Sequence, residues 1–392
     1  MGPAALKAVA ASLRFMDGPF ATRTAAVQER LADGAADGVV LFPSPNLYYL
    51  TGFWEAPMER HLLLFVGASG DPAMVAPTLY EAQLADETWL RDVRTYDDGA
   101  DPLTVIEEIA RDLDVASGHL LLDPTMWARF TLDLRETLPA ASFGLADQVL
   151  GDLRLRKDET ERERLRAAGR VADAVVEDLR EMGEAVVGTT EAELARTIER
   201  RLQEAGADEP SFDVIVGSGP NGAKPHHHHG DRVIDAGDPV VLDFGARVDH
   251  YPSDQTRTLV FGGDPPDGFE DAFAAVRDAQ EAAVQAVEPG ATAGSIDQAA
   301  RSVIEERGFG DAFIHRTGHG VGLDVHEEPY IVADNDRVLE PGMVFSVEPG
   351  VYVEGEYGVR IEDLVLVTED GNERLNHTDR GYRTGEPPAD AE

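Results

Sequence analysis

Residues 240–258 read "VVLDFGARVDHYPSDQTRT". The apolar run Pro239-Val240-Val241-Leu242 has the character of a buried strand, and Gly245 with Asp249 supplies turn chemistry. The chain then returns through the run from Thr256 to Phe261, so the two segments predict a hairpin. Asp243 closes its first strand and Asp254 opens its second. Two carboxylates turned inward repel each other and lose their hydration, at a cost of several kcal/mol unless a cation lies between them. A metal is the simplest cation for that place. The competing reading is a solvated turn that Asp249 and Asp254 merely decorate.

The surrounding sequence narrows the options. At 392 residues with 43% hydrophobic side chains, the chain is too long for one ordinary core and apolar enough to fill two. It has no cysteine, which removes disulfides, thiolate ligands and a cysteine nucleophile together. Any metal must be held by oxygen and nitrogen. Its 74 acidic and 34 basic residues give a net charge of −40, and Lys7, Lys157 and Lys224 are its lysines. The acids are spread over helix faces and form no acidic tail. Such self-repulsion is screened where the Debye length is about 3 Å, at 1 M salt, so the composition resembles that of a halophile's protein. It argues against nucleic acid or an anionic membrane as partner, since both require a basic footprint. No apolar run approaches the roughly 20 residues of a membrane helix, and no secretory pattern opens the chain, so a cytoplasmic location is expected. Met16 is a candidate start of translation, which N-terminal sequencing would decide.

Taken in order, Met16-Asp17 and the following "ATRTAAVQERLADG" predict a capped helix ending at a glycine. From "GVVLFPSPNLYYLTGF" through "HLLLFVGASGDPAMVAP" to "GHLLLDPT", apolar strands alternate with helical stretches such as Thr104–Leu113. That is an α/β domain, and the switch to the charged helix after Gly151 sets a boundary there. Beyond it lies an internal repeat. A helix over 158–182 is followed by one starting at Thr190, and a helix over 268–287 by one starting at Ser295. Thr190 with Glu193 and Ser295 with Gln298 form capping boxes, and Gly206 and Gly308 end the two second helices. Two such halves would stack about a pseudo-two-fold axis around a cleft.

"GSGPNG", residues 217–222, has the spacing of a dinucleotide-binding turn, but "AKPHHHH" follows it where a helix would be needed. The nucleotide reading is therefore set aside. Three further positions stand out. His319 lies between two glycines, Glu348 ends an apolar strand before Pro349-Gly350, and Glu362 interrupts the apolar run "VRIEDLVLV". Strand periodicity would put Arg360, Glu362 and Leu364 on one face, so a carboxylate must meet something buried. The competing reading there is an Arg360–Glu362 surface pair on an edge strand.

Asp243, Asp254, His319, Glu348 and Glu362, in the settings "LDFGA", "SDQTRT", "TGHGVG", "VEPG" and "RIED", resemble the ligand set of the pita-bread metallopeptidases. That family includes Xaa-Pro aminopeptidase, Xaa-Pro dipeptidase (prolidase), methionine aminopeptidase and creatinase. The likeness covers residues 155–375 closely. Residues 1–151, with "NLYYLTGF", resemble the extra domain of the creatinase and proline-peptidase branch, which methionine aminopeptidases usually lack. The resemblance implies an α/β (α+β) chain in which a smaller creatinase-type domain, 1–151, precedes a pseudo-symmetric pita-bread catalytic domain, 152–392.

It also implies two divalent metal ions. Asp254 and Glu362 would bridge them, Asp243 would complete one site, and His319 with Glu348 the other. Four carboxylates and one imidazole suit Mn²⁺, with Co²⁺ or Fe²⁺ as alternatives, better than tetrahedral Zn²⁺. By the same resemblance a bridging hydroxide attacks the scissile carbonyl, and Glu348 shuttles the proton. His226 and His326 would contact the substrate carbonyl and the tetrahedral intermediate, although His227 to His229 leave the first of these alignments open. Arg360 would support the ligands from behind. His315 and Tyr352 match the aminopeptidase P pattern, or serve as packing in the cleft wall. The implied substrate is a peptide with proline at its second position, and the implied assembly is a homodimer. Dipeptidase and aminopeptidase stay open. The alternatives outside that pair are a metal-free creatinase-like hydrolase, an inactive pita-bread binding module and a methionine aminopeptidase.

Overall fold

Short apolar runs punctuated by glycine and proline build the first of two units, Met1–Arg154. The computed structural model describes residues 18–34 and 36–384, so Met16 and Asp17 lie outside it. The first helix, α1 (Pro19–Ala32), starts with proline in its first turn behind Gly18 and ends at Asp33-Gly34, with Gly34 at φ +93°. Six strands follow: β1 (Gly38–Leu41), β2 (Leu63–Gly67), β3 (Ala73–Pro77), β4 (Asp92–Tyr96), β5 (His119–Leu122) and β6 (Ser142–Leu145). They form one mixed sheet in the order β4-β3-β2-β1-β5-β6. Its central strands β1, β2 and β3 are buried along their whole length, which is why they read as continuous apolar runs instead of alternating ones. The helix expected from Thr104 is α2 (Pro102–Asp112). It begins two residues earlier because Asp101 accepts a 3.0 Å hydrogen bond from the Leu103 amide, with proline behind it.

The second unit, Leu155–Glu392, is built on the repeat. Its first half has α3 (Glu159–Met182), α4 (Glu191–Glu204), β7 (Glu209–Pro210), β8 (Ile215–Ser218), β9 (Pro239–Phe244), β10 (Ala246–Val248), β11 (Tyr251–Pro252) and β12 (Gln255–Val260). The second half has α5 (Phe269–Gln285), α6 (Ala293–Glu306), β13 (Gly318–Gly320), β14 (Glu327–Ile331), β15 (Val344–Val347), β16 (Gly350–Val353), β17 (Tyr357–Arg360), β18 (Asp363–Val367) and β19 (Asn372–Arg374). Each helix pair packs on its own sheet. Val175, Leu194 and Ile198 meet Leu242 and Leu259 in one core, and Phe269, Val276 and Ile296 meet Phe345 and Val365 in the other. The sheets run β12-β9-β8 and β14-β13-β15-β18-β19.

The caps show how local pattern and tertiary setting combine. Thr190 and Glu193 form the expected capping box, and Asp158 with Glu161 forms another at the start of α3. The box expected at Ser295 and Gln298 is absent. Helix α6 begins one turn earlier, where Thr292 accepts from the Ser295 amide, and Gln298 instead reaches Ser302 Oγ at 2.8 Å. The reason lies outside the helix. The amides of Ala293 and Gly294 donate to the carbonyls of Arg337 and Asn335, which satisfies the first turn from a neighbouring loop.

The hairpin forms as β9 against β12, with Asp243 opposite Thr256. Its reversal is at Asp249 and His250, at φ +47° and +71°, and not at Gly245. Gly245 serves a close approach, since a Cβ there would stand 1.8 Å from the Ser253 carbonyl oxygen. After β8, "GPNGA" makes a short 3₁₀ turn over Gly219–Ala223. The run "VRIEDLVLV" is two strands, not one. β17 pairs with β16, whereas β18 pairs with β15 and β19, so the chain changes sheets at Ile361-Glu362. The even alternation expected across Arg360, Glu362 and Leu364 is therefore interrupted, and Glu362 sits in the crossing.

Candidate active site

That crossing, the hairpin and the glycine-flanked strand β13 converge. Asp243 is the last residue but one of β9 and Asp254 precedes β12, both from the first half; His319 in β13, Glu348 after β15 and Glu362 before β18 come from the second. Donor atoms of Asp254, His319 and Glu362 all lie within 4.8 Å of one another, and all three residues are buried. His319 Nε2 stands 3.6 Å from Asp254 Oδ2 and 3.3 Å from Glu348 Oε1. The backbone fixes these directions. Gly318 fits between strands where a Cβ would come within 1.8 Å of the Ser346 carbonyl oxygen. The Ser346 hydroxyl accepts from the His319 amide at 3.1 Å and donates to Glu348 Oε1 at 3.2 Å. The Glu362 amide donates to the Thr256 carbonyl at 3.1 Å, while the Thr256 hydroxyl donates to Glu362 Oε2 at 2.6 Å.

Burial sets the electrostatics. It is the main force lifting Asp254 far above the usual carboxylate range, with Glu362, Asp243 and Glu348 adding repulsion. Glu362 is raised in the same way, by burial and then by Glu348 and Asp243. Glu348 is pushed up to about 7 by burial, with Arg360 opposing. His319 falls to about 3, through burial and then the nearby charge of His326, so its imidazole is neutral and free to act as a ligand. Asp243 Oδ1 is buried and meets no hydrogen-bond donor of the described residues. An orphaned carboxylate oxygen beside three crowded carboxylates and a neutral imidazole fits a divalent-cation site.

Arg360 ties the cluster together. It is buried and turned away from the surface, so the surface pair with Glu362 does not exist. Its Nη2 donates to Asp243 Oδ2 at 2.6 Å, its Nε to Thr256 Oγ1 at 3.0 Å and its Nη1 to the Tyr352 hydroxyl at 2.7 Å. Tyr352 in turn lies 2.9 Å from His315 Nε2, and His315 Nδ1 lies 2.6 Å from the Arg316 carbonyl. That carbonyl can only accept, so Nδ1 carries the proton and Nε2 accepts from the tyrosine. Burial, then Arg360, lowers His315 to about 4, and burial raises Tyr352 to about 12. His315 and Tyr352 are thus parts of one hydrogen-bonded chain from Arg360.

A cavity of about 710 Å³ opens over the cluster, and His226 to His229, His315, Arg316 and His326 are among the residues that line it. The histidine tract resolves into separate jobs. His227 Nε2 pairs with Glu191 Oε2 at 2.8 Å, and His229 Nδ1 lies 2.9 Å from the Val214 carbonyl. His226 and His228 are exposed. His226 is close enough to His315 and His326 to contribute to lowering both. The His326 ring meets His319 edge-on, with centroids 4.1 Å apart.

A model of the metallopeptidase family M24 matches residues 163–369, more than half of the chain. This chain belongs to the metallopeptidase family M24. A model of the creatinase/prolidase N-terminal domain matches residues 23–156 of the M24 chain. The M24 chain is 43% identical over 371 residues to a probable dipeptidase PepE of Mycobacterium tuberculosis, covering 93% of this chain and 96% of that one. A dipeptidase from Pyrococcus horikoshii aligns with a TM-score of 0.88 and 39% identity over 92% of this chain and 99% of its own. A prolidase from Thermococcus sibiricus aligns with a TM-score of 0.88 and 37% identity over 94% and 100%. The expected architecture holds, a creatinase-type N-terminal part followed by a pita-bread part.

Several residues that hold this cluster and its histidine loop in place gave no sign in the sequence. Glu191 is wholly buried, and against the burial that would raise it, hydrogen bonds from Ser218, His227 and Asn221 keep it below the ordinary range, anchoring the histidine loop. Arg257 is buried behind the crossing, donating to the Glu362 carbonyl and to Asp363 Oδ1, both at 2.7 Å. Asp297 on α6 accepts from the Thr317 hydroxyl at 2.7 Å two residues before His319. Each is an ordinary charged residue of a helix or strand until its distant partner is known.

Proposed function

We propose that the chain is an Xaa-Pro dipeptidase that works with two divalent ions, Mn²⁺ first among Mn²⁺, Co²⁺ and Fe²⁺. The observation that carries this reading is the convergence of Asp243, Asp254, His319, Glu348 and Glu362 on the lining of one cavity, with an orphaned Asp243 oxygen. The naming of its relatives as dipeptidase and prolidase supports the substrate class. In this reading Asp254 and Glu362 would serve both ions, Asp243 would help hold one, and His319 with Glu348 the other. When bound, the ions supply Lewis-acid polarisation of the scissile carbonyl and an acidified water.

The chain's own groups do the rest. Glu348 Oε1, held by the Ser346 hydroxyl, takes a proton and returns it to the departing proline nitrogen. His226 and His326, both in the cavity lining, hydrogen-bond the substrate carbonyl and the oxyanion that replaces it. Arg360 fixes Asp243 and Thr256 in place and keeps Tyr352 pointed at His315. The proposal also includes catalysis within residues 152–392 with 1–151 as the creatinase-type domain, a homodimer and a cytoplasmic location. Among the described residues no helix is long and apolar enough to cross a membrane.

The test is hydrolysis of an Xaa-Pro dipeptide and an Xaa-Pro-Yaa tripeptide in molar KCl with Mn²⁺, repeated after chelation and with Asp254→Asn. Cleavage of the dipeptide alone, lost with chelator and in the variant along with bound metal, is the expected outcome. Preference for the tripeptide would make the enzyme an aminopeptidase. A fully active Asp254→Asn protein would sink the ligand assignment, and no cleavage of either peptide would point to the inactive or metal-free relatives.

A further inference from the structure

One buried cation has no part in the chemistry above. Lysine is scarce in this chain, at Lys7, Lys157 and Lys224, yet the Lys157 side chain is wholly buried. Its Nζ donates to Glu327 Oε1 at 2.7 Å and to the Leu155 carbonyl at 3.4 Å, and its amide donates to the Gly342 carbonyl at 2.8 Å. Backbone and head group are thus pinned separately, just ahead of α3. An unbranched stem with a point charge suits such a pocket, where a guanidinium would leave most of its N–H groups unpaired. The partner is equally confined. Glu327 opens β14 opposite Gly320 of β13, and its carboxylate lies so close to Gly322 that a Cβ there would stand 2.3 Å from Oε1. Through that glycine the loop 321–326 is packed onto the ion pair.

The loop ends at His326, the residue before Glu327. The His326 ring touches His319, but among the described residues no hydrogen bond fixes either of its nitrogens. Its strand, β14, is at the edge of the sheet and pairs with β13 alone. The backbone must therefore place the ring. His319 is held differently, on a strand flanked on both sides and with its amide on the Ser346 hydroxyl at 3.1 Å. We propose that Lys157 is a positioning residue: through its buried ion pair with Glu327 it sets where the His326 ring stands in the cavity, and it leaves the metal ligands in place. This proposal rests on the peptidase reading and deepens it. A buried carboxylate deprived of its cation turns toward water, and that movement carries the adjoining residue with it. A group that must meet a developing oxyanion works only when it is aimed closely, so a small displacement of the ring costs turnover. The other histidine loop hangs on the same device with the sign reversed, the buried Glu191 that holds His227 at 2.8 Å.

The measurement is a double-mutant cycle: kcat and KM for alanyl-proline with Mn²⁺ on the wild type, Lys157→Met, His326→Ala and the protein carrying both changes, with bound Mn²⁺ counted in each. Lys157→Met should lower kcat on the order of 10- to 100-fold, with KM changed less than about threefold and bound metal unchanged. The doubly changed protein should be slower than His326→Ala by no more than about twofold, because a ring that is absent cannot be misplaced. A readout independent of turnover is the imidazole carbon-13 spectrum of the histidine-labelled full chain loaded with diamagnetic Zn²⁺. The His326 resonance, identified by its loss in His326→Ala, should move in Lys157→Met while those of the other histidines, His319 among them, stay. If Lys157→Met does not fold, Glu327→Gln keeps the shape of the partner and enters the same cycle and spectrum with the same expectations. Losses that multiply in the doubly changed protein, metal lost along with kcat, or an unmoved His326 resonance would overturn the role of Lys157 and leave the peptidase reading intact. A wild type that cleaves no dipeptide overturns that reading, and the His326 resonance then decides by itself whether Lys157 places the ring.

Discussion

His315 shows how one side chain can be useful by refusing a proton. Its Nε2 must stay unprotonated to accept from Tyr352, and burial with the Arg360 charge holds its pKa at about 4. The unfolded chain would take up that proton near pH 6.5, so the folded state binds fewer protons between those values, and stability falls as pH drops through that window. At pH 5 the cost is about 2 kcal/mol. Denaturant titrations at pH 7 and pH 5 should therefore show a smaller acid loss in His315→Gln than in the wild type; parallel losses would contradict the neutral assignment. At this scale the sequence was informative where a residue is out of character with its neighbours. A histidine between glycines and a glutamate in an apolar run announce themselves. Arg257, Ser346 and Asp297 do not, because each looks ordinary until paired with a partner that folding brings to it; Arg257 and Glu362 are 105 positions apart.

Elements deliver these residues, and their registers matter more than their propensities. β13 lies between β14 and β15 with Gly318 pressed on the Ser346 carbonyl, so an added methyl must push the strand carrying His319 away from the strand carrying Ser346. Gly318→Ala should weaken metal binding by about 10- to 100-fold, the range seen when groups behind ligands are disturbed. Chelator competition would measure it, with Gly99→Ala, which meets nothing within 4 Å, as the unaffected control. Unchanged affinity in Gly318→Ala would show that strand spacing does not set the ligand geometry. Legibility at this scale followed the range of the interaction. The Thr190–Glu193 box is closed by neighbours in sequence and could be read directly. The start of α6 depended on carbonyls of Asn335 and Arg337, and the break at Ile361-Glu362 on which sheet each side joins, so composition alone could not locate either.

For the whole chain, a net charge of −40 with so few lysines makes stability a matter of ionic strength. Going from 0.1 to 1 M KCl shortens the Debye length from about 10 to about 3 Å, which removes much of the repulsion between surface acids and leaves the buried pairs nearly untouched. The melting temperature should climb steeply over that range; a flat response would mean that the acidic surface carries no such burden. The division of the site between the two halves has a consequence for descent. With Asp243 and Asp254 on one side and His319, Glu348 and Glu362 on the other, an ancestor the length of one half of the second unit could have assembled such a centre only as a pair of identical copies, and identical copies would have offered a substrate two indistinguishable ends. A fusion after gene duplication would let such copies diverge. The handedness by which a peptide's amine can be told from its carboxylate is then an acquisition of the duplicated gene, written in the unequal endowment of its two halves.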